Sequence, residues 1–158
     1  MITINVKATT IVKPAEETPR GPLWLSSVDI VRSDVHVLSA YFYKRNEAAN
    51  DGFFEAGALK DALAKILVPF YPMAGRLRLD ATGRQEINCN AEGVLFVEAE
   101  TDAAIADLGD FTPSLQMRKL VPPVDRSGGL SSFPLFLAQV CYMLYHICNY
   151  SEFSLSNF

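Results

Sequence analysis

The chain opens with a two-residue alternation: Ile2, Ile4 and Val6 are apolar, and Thr3, Asn5 and Lys7 between them are polar. That period predicts a strand with one buried face. Pro14, Pro19, Gly21 and Pro22 then break the pattern and mark a loop. "LWLSSVDI" begins a further apolar segment, and "VHVLSAYFY", Val35 to Tyr43, is rich in β-branched and aromatic side chains and reads as a buried strand. Beyond it the period changes. Leu59, Leu63, Ile66, Leu67 and Phe70 fall on one face at helical spacing, with Lys60, Asp61 and Lys65 off that stripe, which predicts a helix from about Glu55 to Leu67. Pro69 and Pro72 lack the amide hydrogen needed to continue it.

"RLRLDATGRQEINC" has the form of a hairpin. Leu77 and Leu79 alternate with arginines, Asp80 to Gly83 supply turn residues, and Ile87 and Cys89 resume an apolar face. "GVLFVEAE" reads as another strand, residues Asp102 to Leu108 as a short helix stopped at Gly109, and "FLAQV" as a last buried strand. Strands interspersed with few helices, without a regular βαβ rhythm, give an α+β fold with a mixed sheet. No internal repeat or low-complexity tract is present.

Composition narrows the function classes. With 158 residues, 49% hydrophobic and 20% charged, the chain has enough apolar material for one ordinary domain. Its net charge of -4 is spread without a basic stripe, which argues against nucleic acid as a partner. Cys89, Cys141 and Cys148 form no C-x-x-C pair, so reduced thiols in a cytoplasmic protein are expected. The start, "MITINVKATTIVKP", lacks the basic and then unbroken apolar pattern of a signal peptide. The late apolar run from Phe133 to Cys148 falls short of the roughly 20 residues a spanning helix needs. It also holds Pro134, Gln139 and His146, so a buried strand is expected there rather than a membrane segment.

Little catalytic chemistry is visible. The chain has two histidines, and a strand places Ser39 and Tyr41 on one face with His36 on the other, so a His36–Ser39 dyad is not expected. His36 reads as a structural histidine in or beside the sheet. Ser39 and Tyr41 are compatible either with simple packing or with a pocket where an aromatic ligand meets a hydroxyl. The acidic residues are scattered, phosphate-loop and nucleophile-elbow motifs are absent, and no cluster suits a metal.

One long likeness extends this reading. "LVPFYPMAGRL", Leu67 to Leu77, resembles the helix-exit segment of plant BAHD acyltransferases. "VKPAEETP", "LWLSSVD", "GRQEINCNAEGVLFVEAETD", "LGDFTP" and "LVPPVD" match the same family in order and at suitable separations. The chain is most similar to the hydroxycinnamoyl-CoA:shikimate or quinate hydroxycinnamoyltransferases. The resemblance implies a chloramphenicol acetyltransferase-like fold of two lobes. It also implies transfer of an acyl group from a CoA thioester to an alcohol, with acyl-CoA as co-substrate and no bound cofactor. The family is usually monomeric.

In such enzymes the strand matching "HVLSAYFY" lines the aromatic acyl pocket, which carries Ser39, Tyr41 and, less directly, His36 over as substrate-binding residues. "FYPMAGR" is implied to be a structural turn, with Gly75 allowing close backbone approach and Arg76 anchoring the lobe. The family's general base is the histidine of a His-x-x-x-Asp motif. Four places after His36 stands Ala40, and four after His146 stands Tyr150, so no catalytic residue is assigned.

The likeness stops after Val140. The expectation is therefore an N-terminal lobe over residues 1–140, truncated relative to the family, and a divergent tail over 141–158 translated from a retained intron or a mispredicted gene boundary. A lone lobe is expected to be inactive. It is also expected to expose apolar surface or an open sheet edge, and so to self-associate.

Overall fold

The computed structural model describes residues 2–31, 36–44, 54–109, 111, 115–143 and 146–153, with 44, 116 and 146–153 described by their backbone alone. In chain order the elements are β1 (Asn5–Val12), β2 (Gly21–Trp24), α1 (Ser27–Ile30), β3 (Val37–Lys44), α2 (Ala56–Ile66), β4 (Arg76–Leu79), β5 (Gln85–Cys89), β6 (Val94–Thr101), α3 (Leu115–Arg118), β7 (Phe136–Met143) and β8 (His146–Phe153). Single 3-10 turns occupy Tyr71–Ala74 and Ile105–Leu108. Five strands form one sheet in the order β1-β6-β7-β8-β3, and three form a second in the order β2-β5-β4. The β6–β7 pair is parallel and every other pair is antiparallel, so the α+β expectation of a mixed sheet with few helices holds.

The larger sheet is covered on both faces. On one lies α2, whose residues Ala56, Leu59 and Leu63, with Leu67 at its C-terminal cap, meet Val12, Val94, Phe96, Ala138 and Val140. On the other, Ala99, Cys141 and Met143 meet Ile2, Leu108 and Leu120. This double cover explains the late apolar run. Along β7 alternate residues enter opposite cores, so a strand buried on both sides has no polar face to display. Its one polar interior residue, Gln139, donates its side-chain amide to the carbonyl of Leu120 and is thereby satisfied.

The predicted helix is present within a residue of its expected bounds. Glu55 sits just outside it in extended conformation, and its carboxylate accepts from the amides of Gly57 at 2.9 Å and Ala58 at 2.7 Å. Two otherwise orphaned donors are satisfied, and a negative charge meets the positive end of the helix dipole. Ile66 and Phe70, assigned by spacing to the buried stripe, are instead exposed at its margin. The stripe that packs is narrower and follows the line from Ala56 to Leu67.

The helix exit is a close-packed joint. A Cβ at Gly75 would lie 2.5 Å from the carbonyl oxygen of Asn88, so only glycine lets β4 meet β5 here. The adjoining Arg76 is buried and donates from Nη1 to the carbonyls of Gly75 and Gly93, both at 2.7 Å, while its Nε lies 3.1 Å from Glu92. One guanidinium therefore ties the small sheet to the start of β6, the anchoring role that the family likeness implied.

Two expectations need correction. The N-terminal strand begins at Asn5 rather than Ile2; Val6 is exposed although it is level with the buried Ala99, and the β1–β6 register shifts just after it, between Val6 and Ala8. A shifted register turns the alternation over. Second, β3 is an edge strand rather than a buried one, with Val37, Leu38, Tyr41 and Tyr43 exposed. Its β-branched and aromatic composition reports a pleated setting and not depth.

The segment beyond Val140 is part of this architecture. Residues 141–143 complete β7, and β8 pairs along its full length with β7 on one side and β3 on the other. Among the described residues, β3 has no other strand partner in the sheet.

Candidate functional site

The strand β3 presents its side chains in two rows. Ser39 and Ala138 are both in register with Ser151, and Tyr41 and Val140 are both in register with Asn149. Residues level across an antiparallel ladder share a face, so Ser39 and Tyr41 lie on the α2 face of the sheet. Ala40 and Phe42 occupy the opposite row and pack into the core formed with Leu108 and Leu120. The shared orientation read from the alternation is thus present in the structure. Among the described residues, α2 packs over β1, β6 and β7 and does not reach the β3 end of this face. Tyr41 is 55% exposed and Tyr43 39%, with Ser39 half-buried between strand and solvent.

An aromatic wall adjoins this row. The Tyr43 and Phe54 rings lie 4.6 Å apart, and the Tyr142 hydroxyl donates to the Phe54 carbonyl at 2.9 Å. Phe54 itself has φ 57°, a left-handed conformation unusual for a bulky residue. Burial, followed by the charges of Glu98 and Glu55, raises the Tyr142 pKa, so this phenol stays a protonated donor. Beneath it Lys60 pairs with Glu98 at 2.9 Å. Tyr43, Phe54 and Tyr142 were not singled out from the sequence. Tyr43 was accessible from the same two-residue period as Tyr41, whereas the Phe54–Tyr142 contact joins residues 88 apart and leaves no local signal.

His36 belongs to a different environment. It is buried just ahead of β3, its Nε2 donates to the Pro134 carbonyl at 3.2 Å, and its Nδ1 accepts from Arg126 Nη2 at 2.7 Å. The ring meets Phe133 edge-on at 5.6 Å, and Arg126 also lies over that phenyl ring. Burial is the main cause lowering the His36 pKa; the Pro134 hydrogen bond opposes it and the Arg126 charge adds to it. A neutral imidazole with both nitrogens engaged is well suited to fixing the approach to β3 and poorly suited to taking a proton from a substrate. The structure brings Ser39 and Tyr41 together and sets His36 apart from them. The side chain of His146 lies outside the described residues.

A cavity of about 540 Å³ opens elsewhere, lined by Ile2, Thr3, Asn5, Thr101, Asp102, Ala103 and Asp107. It includes none of the residues expected from the sequence. Its two carboxylates would repel the phosphates of a CoA ester, and Asp107 is already engaged by the Ala104 amide at 2.7 Å. We therefore place the candidate site on β3. Among the described residues no group of three or more His, Cys, Asp or Glu is arranged to hold a metal, and no helix is long and apolar enough to cross a membrane.

Comparison with known proteins identifies the family. The model of the Transferase family matches residues 2–144. A hydroxycinnamoyltransferase of Narcissus pseudonarcissus is 51% identical over 139 residues, covering 88% of this chain and 32% of the relative. Shikimate O-hydroxycinnamoyltransferase of Nicotiana tabacum is 52% identical over 139 residues with the same coverage. Rosmarinate synthase of Plectranthus scutellarioides is 48% identical over 138 residues, covering 87% of this chain and 31% of its own. The chain thus spans about a third of the length of the curated relatives it matches. Among solved structures, vinorine synthase superposes with a TM-score of 0.70 at 20% identity, covering 96% of this chain and 38% of that one, which is a likeness of fold. With the sequence match and the fold in agreement, the chain belongs to the Transferase family, the BAHD acyltransferases.

Proposed function

We propose that this chain forms the acyl-recognising part of a cytoplasmic, acyl-CoA-dependent O-acyltransferase. In this reading a hydroxycinnamoyl group passes from a CoA thioester to an alcohol such as shikimate or quinate. The observation that carries the proposal is the row of half-buried Ser39 and exposed Tyr41 and Tyr43 on the α2 face of β3, beside the Phe54 ring. A planar aromatic acyl chain laid along this row has ring faces to stack on and a hydroxyl to bond its phenol, a few placed polar groups in an apolar setting. Relatives whose names include hydroxycinnamoyltransferase support the choice of acyl group.

The 158 residues supply binding surface and no general base of the family type. Ala40 and Tyr150 stand where an aspartate would follow each histidine. General-base assistance contributes typically about 10²- to 10⁴-fold, and substrate positioning by the rest of such an enzyme adds more. The chain by itself is expected to bind and not to turn over. The missing aspartates equally favour a second reading, a non-catalytic protein that holds an aromatic ester or docks on full-length relatives.

Fluorescence titration of the purified chain with p-coumaroyl-CoA, acetyl-CoA and free CoA tests the site. Binding that requires the aromatic acyl group, and weakens in a Ser39→Ala/Tyr41→Ala double variant, is the expected result. Equal binding of all three ligands would remove the acyl-pocket assignment. Thiol release with p-coumaroyl-CoA and shikimate tests the second half, and turnover above the uncatalysed rate would show that these residues do contain a base.

A further inference from the structure

The two edges of the large sheet are built differently. On β1 the register slips between Val6 and Ala8, and Lys7 stands beside Glu100 at 2.8 Å on the exposed strand. A bulge and a charged pair are the usual means by which a sheet edge resists the approach of another strand. On β3 neither device is present. Its eight residues, VLSAYFYK, pair with β8 without a register shift, and residues 37–43 include no charge, proline or glycine. Four of these seven residues, Val37, Leu38, Tyr41 and Tyr43, are exposed. Among the described residues nothing pairs with the outer edge.

We propose that this edge pairs antiparallel with β3 of a second copy of the chain, extending the sheet through a two-fold axis. The sequence of the strand favours itself as the occupant. With the axis at Ala40, that residue faces its own copy, Ser39 faces Tyr41, Leu38 faces Phe42 and Val37 faces Tyr43. Every one of these is a neutral pair, and three of the four bring an aromatic or branched side chain against a partner, the combinations that stabilise a ladder. Lys44 falls outside the paired span, so no charge is buried and no like charges meet. An acidic or basic peptide would find no complementary charge along residues 37–43. Two-fold pairing is also closed: it consumes the unguarded edge of the large sheet in each copy, leaving the guarded β1 edges outermost in that sheet. A seven-residue ladder is small beside the roughly 1,200–2,000 Å² of a stable interface, so the dimer forms in a concentration-dependent way.

Sedimentation velocity across a concentration series provides the first test, with a reversible monomer–dimer equilibrium expected. A monomer at every concentration, or open-ended assembly, overturns the proposal. Tyr41→Lys and Tyr41→Glu each place like charges at diagonal positions across the axis and are expected to be monomeric alone. Mixed in equal amounts they are expected to form a heterodimer, and failure to do so, with both variants folded by circular dichroism, counts against the pairing. Hydrogen exchange on the unaltered chain covers the case in which neither variant folds. Protection of the 37–43 amides that rises with protein concentration supports the proposal, and protection independent of concentration overturns it.

Discussion

Arg126 donates to His36 across 2.7 Å, filling the one ring nitrogen that a proton would otherwise take. Protonation of the imidazole would set two donors against each other in a part-buried contact. Burial, the largest cause, already holds the His36 pKa below its ordinary value near 6.5. The unfolded chain therefore binds this proton first as pH falls. The stability contributed by neutral His36 is complete above the unfolded pKa and is lost as pH drops through the folded one. Urea denaturation is expected to show stability declining below about pH 6.5, with a shallower slope in His36→Gln. Identical slopes in the two proteins would mean that His36 titrates alike folded and unfolded.

Arg76 is expected to be among the most sensitive polar positions. Arg76→Met keeps much of the side-chain bulk but leaves the carbonyls of Gly75 and Gly93 without their 2.7 Å donors. Charged hydrogen bonds are worth about 1.5–3 kcal/mol each and buried orphans cost about as much, so a loss of about 2–4 kcal/mol is expected. Chemical denaturation measures it, and a loss below about 1 kcal/mol would show that solvent or nearby groups replace the guanidinium.

The segment after Met143 is expected to control whether β3 stays in the sheet. Asn149 is level with both Val140 and Tyr41. Proline at that central-strand position removes a ladder hydrogen bond and clashes with a neighbouring strand. In Asn149→Pro, exchange protection is expected to fall along residues 37–43 while α2 and the β4–β5 hairpin keep theirs. Uniform loss throughout, or no loss in β3, would contradict the view that β8 holds this strand in place.

Elements with a strong local period are legible in the sequence. The α2 helix is marked by Leu59, Leu63 and Leu67 and bounded by Glu55 and Pro69; the hairpin is marked by Leu77, Leu79 and Ile87 around a turn. The common face of Ser39 and Tyr41 also follows from a period of two. What the sequence hid depends on long-range packing. The edge position of β3 follows from which strand lies beside it, and hydrophobicity alone does not distinguish an edge from a centre. "HICNYSEF" mixes polar, charged and aromatic residues and gives no strand signal, yet it supplies the backbone that joins β3 to β7. The isolation of His36 from Ser39 was half visible, because strand parity separates them while the Pro134 and Arg126 partners, 98 and 90 residues away, are not implied by any local pattern.

The register of β3 with β8 also sets an order of events. Tyr41 meets Asn149, a partner more than a hundred residues later in the chain, whereas α2 and the β4–β5 hairpin close over short distances. Long loops close slowly relative to local structure, since chain entropy is lost before the contacts that offset it are made. On the ribosome, then, the strand carrying Ser39 and Tyr41 emerges before β8 and has no ladder to join until residues 146–153 follow. Until then this chain carries β3, with its exposed Val37, Leu38, Tyr41 and Tyr43, unpaired, and a chaperone that shelters short apolar segments would find its natural client there.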